Sequence, residues 1–143
     1  MANVLPPKSK QKIIAGSLGG SGGFTTTNAV RALLIADTYT YDSADEFLDD
    51  VKDDGGGGHT VTAAVALTGI TFTDGVFNCD PIVFPDVAEG TTYKALIVYM
   101  HTGSDATADY IGYHDSAGGD LPKSGNGGDI TVTPDPTNGL FKI

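Results

Sequence analysis

Three histidines, one cysteine and a run of aspartates are the side chains in this sequence best suited to chemistry. His59, His101 and His114 could ligate a metal or carry protons, but they lie in separate segments without ligand spacing. His101 and His114 fall at the ends of predicted strands, where an exposed imidazole needs no special role. Cys79 has no sequence-local histidine or basic residue to activate it, so on a strand it reads as a small core residue. Asp49, Asp50, Asp53 and Asp54 gather where a predicted helix ends, a placement that the helix dipole disfavours. A calcium loop is the chemistry to test there, and its spacing fails. Counting from Asp50, the third position is Lys52 and the twelfth is not Glu. Solvated surface acids are the reading, and neither a metal nor a cofactor is expected.

Two glycine-containing patterns also fail in context. Gly19-Gly20-Ser21-Gly22-Gly23 matches G-x-S-x-G, yet a nucleophile elbow needs a buried strand before it and a helix after it. Here a linker composition precedes and "FTTT" follows. Lys123-Ser124 follows Pro122 rather than the glycine that a phosphate loop requires. No catalytic set assembles, and the sequence is read as non-enzymatic.

The charge distribution is more informative. Residues 1–36 carry Lys8, Lys10, Lys12 and Arg31 against no acid, a charge of +4. The remaining 4 basic residues face all 18 acids over residues 37–143, a charge of −14. A body this acidic repels nucleic acid and anionic membrane, so neither is an expected partner. A single cysteine excludes an intrachain disulfide framework, and "IIAG" is too short for a signal-peptide core, which points to synthesis in a reducing cytoplasm.

The elements that must position these residues are mostly strands. With 40% hydrophobic residues over 143 positions and 20 glycines, the composition suits one globular domain of short strands. "NAVRALLI" (28–35), "TVTAAVAL", "GITF", "VFNC", "PIVF", "TTYKALIVYM", "DYIGYHD", "DITVT" and "GLFKI" read as strands, with Asp74-Gly75 as a hairpin turn. "TTYKALIVYM" is the strongest of them. "SAGGDLPKSGNGG" reads as a long loop. The single helix expected spans 43–53, opened by a Ser43–Glu46 capping box, with Phe47, Leu48 and Val51 on one side. Tyr93, Tyr99, Tyr110 and Tyr113 fall on adjacent strands and suit cross-strand packing. The fold class is therefore mainly β: an antiparallel sandwich or small barrel over 28–143, with one short helix.

Residues 1–27 are read as a separate extended, flexible arm, because Pro6-Pro7 interrupts regular structure and "GSLGGSGG" has a linker composition. In an extended chain Lys8, Lys10 and Lys12 share one side, facing an acidic partner, with Ile13 and Ile14 as an apolar anchor. Gly16 to Gly23 would let the backbone run flat against that partner.

From about Tyr39 onward the chain resembles a family of small structural proteins of tailed bacteriophages, which includes head decoration (cement) and head-fibre proteins. "ADEFLDDV", "LTGITFTDGVF", "YKALIVYMHTGSDAT", "YIGYHD" and "GGDITVTPDPTNGLFKI" carry the resemblance. It implies a virion protein on the outer capsid surface that clamps neighbouring major capsid subunits. It also implies self-association, as a homotrimer. The alternative within the same resemblance is a head- or tail-fibre module that binds a host receptor or carbohydrate. The five arm residues Lys8, Lys10, Lys12, Ile13 and Ile14 would be the capsid-docking set.

Overall fold

The computed structural model describes residues 4–15, 30–53, 58–115 and 120–142. Its centre is a pair of long antiparallel strands, β1 (Val30–Ala36) and β6 (Thr92–Met100). Both are rich in β-branched and aliphatic residues, and both are buried along nearly their whole length. Leu33 lies opposite Ile97 and Leu34 opposite Leu96, with a bulge at Ile35/Ala36. β2 (Val65–Ala66) extends the sheet beyond β1, and β7 (Tyr110–His114) extends it beyond β6, giving the order β2-β1-β6-β7. β8 (Lys123–Ser124) pairs with the start of β6, Thr92 and Tyr93, where β7 does not reach.

Alternation along these strands feeds two cores. Ala32, Leu34, Leu96, Val98 and Ile111 point to one face. There they meet Phe77 and Phe141 from a three-stranded sheet, and Ile82, Phe84, Ile130 and Val132 from a two-stranded one. The three-stranded sheet is β3 (Thr71–Thr73), β4 (Val76–Asn78) and β10 (Phe141–Lys142), in the order β10-β4-β3. The two-stranded one is β5 (Ile82–Phe84) with β9 (Ile130–Val132). Leu33, Ile35, Ala95 and Ile97 point to the other face, which is covered by Leu48 and Val51 of helix α2 (Leu48–Asp53) and by Tyr39, Tyr99, Tyr110 and Tyr113. Each fully buried aliphatic or aromatic side chain contributes roughly 1.5–3 kcal/mol by leaving water, so the central sheet is held from both sides. The mainly β, antiparallel class expected from the sequence is what the chain adopts.

Several local features follow from named residues. The β3–β4 hairpin turns at Asp74 and Gly75, both with positive φ (50° and 78°), the conformation that an Asp-Gly pair favours. Gly139 sits at φ 62°, and a Cβ there would lie 2.2 Å from the Phe77 carbonyl oxygen. Only glycine lets the chain approach β4 closely enough for Leu140 N–H to donate to that carbonyl, at 2.9 Å.

The helices depart from expectation. α2 begins at Leu48 rather than at 43, and its start is capped by Asp50, whose carboxylate accepts from the N–H groups of Glu46 and Phe47. The residues before it are held in irregular backbone by a Tyr39 hydroxyl bond to Asp45 and a Phe47–Asp109 bridge. Those tertiary contacts override the Ser43–Glu46 box. A second helix, α1 (Pro7–Ala15), replaces the extended conformation expected of Lys8 to Ile14. Pro7 occupies the first helical position, where its fixed φ helps and its missing N–H costs nothing, and Lys10 N–H closes the first turn on the Pro6 carbonyl at 3.0 Å. Lys8, Lys10, Gln11 and Lys12 are strong helix formers, and the helix is long enough to lie against β7. The expectation for Gly16 to Gly23 lies outside the described residues, as does that for Asp54.

Candidate functional site

Helical geometry divides the five arm residues that an extended chain would have aligned. Lys12 and Ile13 turn inward. Ile13, with Leu5, packs on the first core, and the Lys12 ammonium reaches the second side of the sheet. There it pairs with Glu46 at 3.0 Å and with the buried Asp109, and it sits 4.2 Å from the centre of the Phe47 ring. Burial works against the charge on Lys12, but the bonds to Asp109 and Glu46 outweigh it and hold the amine above its ordinary pKa. Just upstream, Val4 pairs with Tyr113 through two backbone bonds of 2.7 and 2.9 Å, covering the outer edge of β7.

Lys8, Lys10 and Ile14 remain outside. Ile14 is 85% exposed, the most exposed large apolar side chain among the described residues. It borders a groove of about 260 Å³ between α1 and β10, whose walls are Leu5, Lys10, Ile13, Ile14 and Lys142. Lys142, from the far end of the chain, is the member of this patch that sequence reasoning missed; its neighbours lie more than a hundred residues away, and no local signal marks it. The acids that hold Lys12, Glu46 and Asp109, were equally out of reach of sequence spacing. The result is an apolar floor flanked by cations on a chain whose net charge is −10.

Lys12→Met should loosen the arm by about 1.5–3 kcal/mol, the range for losing hydrogen bonds to charged groups. The check is amide exchange: Val4 and Tyr113 N–H should exchange at least tenfold faster, while the amides joining β1 to β6 stay protected. Unchanged exchange at Val4 would show that Lys12 does not hold the arm.

The other sequence candidates are dispersed. His114 corrects the expectation of an exposed imidazole: it is 1% exposed, its ring enclosed on the first-core side of β7. His59 bonds to the Thr38 hydroxyl at 2.9 Å and packs edge-on to Tyr39, and His101 is half-buried at the end of β6. Cys79 is half-buried against the first core, where burial, helped by Asp80, pushes its thiol up to about 12 and leaves it a poor nucleophile. Asp49 and Asp53 are exposed on α2. Among the described residues, no three His, Cys, Asp or Glu side chains gather as a metal site. No described helix is long and apolar enough to cross a membrane.

A second concavity, of about 650 Å³, opens at the C-terminal end of β7 and is lined by Thr40, Tyr41, Lys94, Tyr113, Asp115, Leu121 and Pro122. Tyr41 and Tyr113 lie 5.4 Å apart at a tilt of 50°. Burial and the neighbouring Asp115 push the Tyr113 hydroxyl up to about 12, so it is a neutral donor across the physiological range. Tyr39 and Tyr110 lie deeper, their pKa values raised first by burial, and they serve packing.

Compared with models of known families, with curated proteins and with solved structures, the chain gave no match in any of the three.

Proposed function

We propose that this chain is a non-enzymatic virion structural protein: a capsid decoration protein that binds the outer capsid surface and stabilises contacts between major capsid subunits. The observation that carries the reading is the outward patch of α1. Lys10 and Lys142 flank an isoleucine that the protein's own body leaves in water, and Lys8 is exposed on the same helix. A solvent-exposed isoleucine flanked by two cations suits a partner that offers an apolar recess with an acidic rim, and docking there would remove Ile14 from water. Multivalent attachment to a repeating lattice gives high occupancy from such small contacts, and self-association, as a trimer, would add to it. The sequence resemblance to phage head proteins supports the same assignment.

A second reading, a fibre module that binds a host receptor or carbohydrate, is favoured by the open groove of Tyr41, Lys94 and Asp115. It offers an aromatic surface beside one cation and one anion.

The test is binding to undecorated capsids of tailed phages. The variant Lys8→Glu/Lys10→Glu/Ile14→Asp alters only the outward residues and spares Lys12 and Ile13. Losing the burial of one isoleucine, at roughly 1.5–3 kcal/mol, should weaken binding about ten- to a hundredfold, with charge reversal adding to that. Undiminished binding would move the contact elsewhere, and no binding by the unaltered chain would remove the capsid assignment.

A further inference from the structure

We propose that the arm, residues 4–15, exchanges between copies of this chain, so that α1 of one protomer docks on β7 of its neighbour. The dock is a compact set of contacts: the Val4–Tyr113 backbone pair, Lys12 with Glu46 and Asp109, and the seating of Leu5 and Ile13 on the first core. A second copy presents all of these in identical form, so exchange conserves every contact and changes only the connection.

Three observations favour exchange over a permanently closed arm. The connection between α1 and β1 is residues 16–29, fourteen positions of which five are glycine. At up to about 3.5 Å per residue it reaches roughly 50 Å, while a chain of this size has a radius of gyration of about 15 Å. It is long enough to serve its own body or an adjacent one. Second, the dock completes an edge strand: without Val4, the Tyr113 N–H and carbonyl face outward, a template that accepts a strand from any source. Third, the charges are opposed: the arm carries Lys8, Lys10 and Lys12 and no acid, +3, against −13 for the rest of the chain, so it is drawn to the body of any copy and not only to its own. Mass action then decides, with exchange rising as protomers are brought together on a surface or by concentration.

The inference concerns this chain alone, and its test contains no capsid, so its outcome is independent of the capsid assignment. Equal amounts of unlabelled and uniformly ¹⁵N-labelled full-length protein are mixed, equilibrated at dilute and at high concentration, and treated with a zero-length carbodiimide. The reagent joins the Lys12 amine to the Glu46 or Asp109 carboxylate. Mass spectrometry of the linked peptides then reads which arm sat on which body. At high concentration, mixed-label pairs should approach half of all Lys12 links, and they should be fewer in the mixture equilibrated at low concentration. Same-label pairs alone, at every concentration, would overturn the proposal. Absence of any Lys12 link would overturn the dock on which it rests.

Discussion

Phe77→Ala should destabilise the protein by about 3–5 kcal/mol, a large share of the roughly 5–15 kcal/mol that holds a typical domain folded. The ring is fully buried and is the hub of the small β3-β4-β10 sheet. It stacks on Phe141 with ring centres 4.7 Å apart and planes within 10°, and it meets Phe72 edge-on at 5.3 Å. The sheet consists of strands of two and three residues, with β3 exposed along its whole length, so its own ladder is too short to persist unaided. What fixes it is the contact of Phe77 and Phe141 with Leu34, Leu96 and their neighbours. Truncating Phe77 removes the larger side of that contact and leaves a cavity that Phe141 alone does not fill. Denaturant unfolding of the wild type, Phe77→Ala and Phe72→Ala provides the check. Phe72 is 54% exposed, and its loss should cost less than about 1 kcal/mol. Equal losses for the two variants would show that the small sheet does not depend on the buried ring.

That hub was partly legible in the sequence. The Asp74-Gly75 pair between "GITF" and "VFNC" announced the hairpin, because few other residue pairs accept positive φ twice in succession. "TTYKALIVYM" announced the central strand for the equally local reason that a long apolar run must be buried on both faces. The failures share a different cause. Lys123–Ser124 pairs only because β6 outruns β7, a fact about distant lengths rather than about those two residues. Pro6-Pro7 reads as an interruption unless the helix after it is known to have a surface to rest on. α2 starts late because Asp109, some sixty residues away, bridges to Phe47. For the candidate site, sequence identified which residues carry charge and grease. The division of Lys12 and Ile13 from Lys8, Lys10 and Ile14 needed the helix, and Lys142 needed the fold.

Acid should weaken the protein through His114 in particular, by about 3 kcal/mol between pH 6.5 and pH 4. The imidazole lies on β7 opposite Leu96, enclosed so completely that, among the described residues, neither ring nitrogen has a hydrogen-bond partner. Gly112, two positions earlier on the same strand, makes the room: a Cβ there would lie 2.7 Å from Nε2. Burial in this apolar space disfavours the charged ring and lowers its pKa from 6.5 to about 4, with the adjacent Asp115 pulling upward but not prevailing. The unfolded chain therefore takes up a proton near pH 6.5 that the native protein refuses until about pH 4. Stability from this group is fully present above pH 6.5 and is lost progressively as pH falls toward 4. The loss is about 1.4 kcal/mol for every pH unit that separates the unfolded and native titrations. His114→Leu keeps the volume and removes the titration. At neutral pH the variant should be at least as stable as the wild type, because it discards two unpaired buried nitrogens. Between about pH 7 and pH 4 the wild type should lose about 3 kcal/mol more than the variant, since all other titrating groups are common to both. Unfolding curves that run parallel across that range would mean that the ring already binds its proton in the native state, and that the closed space around it opens far more readily than its burial suggests.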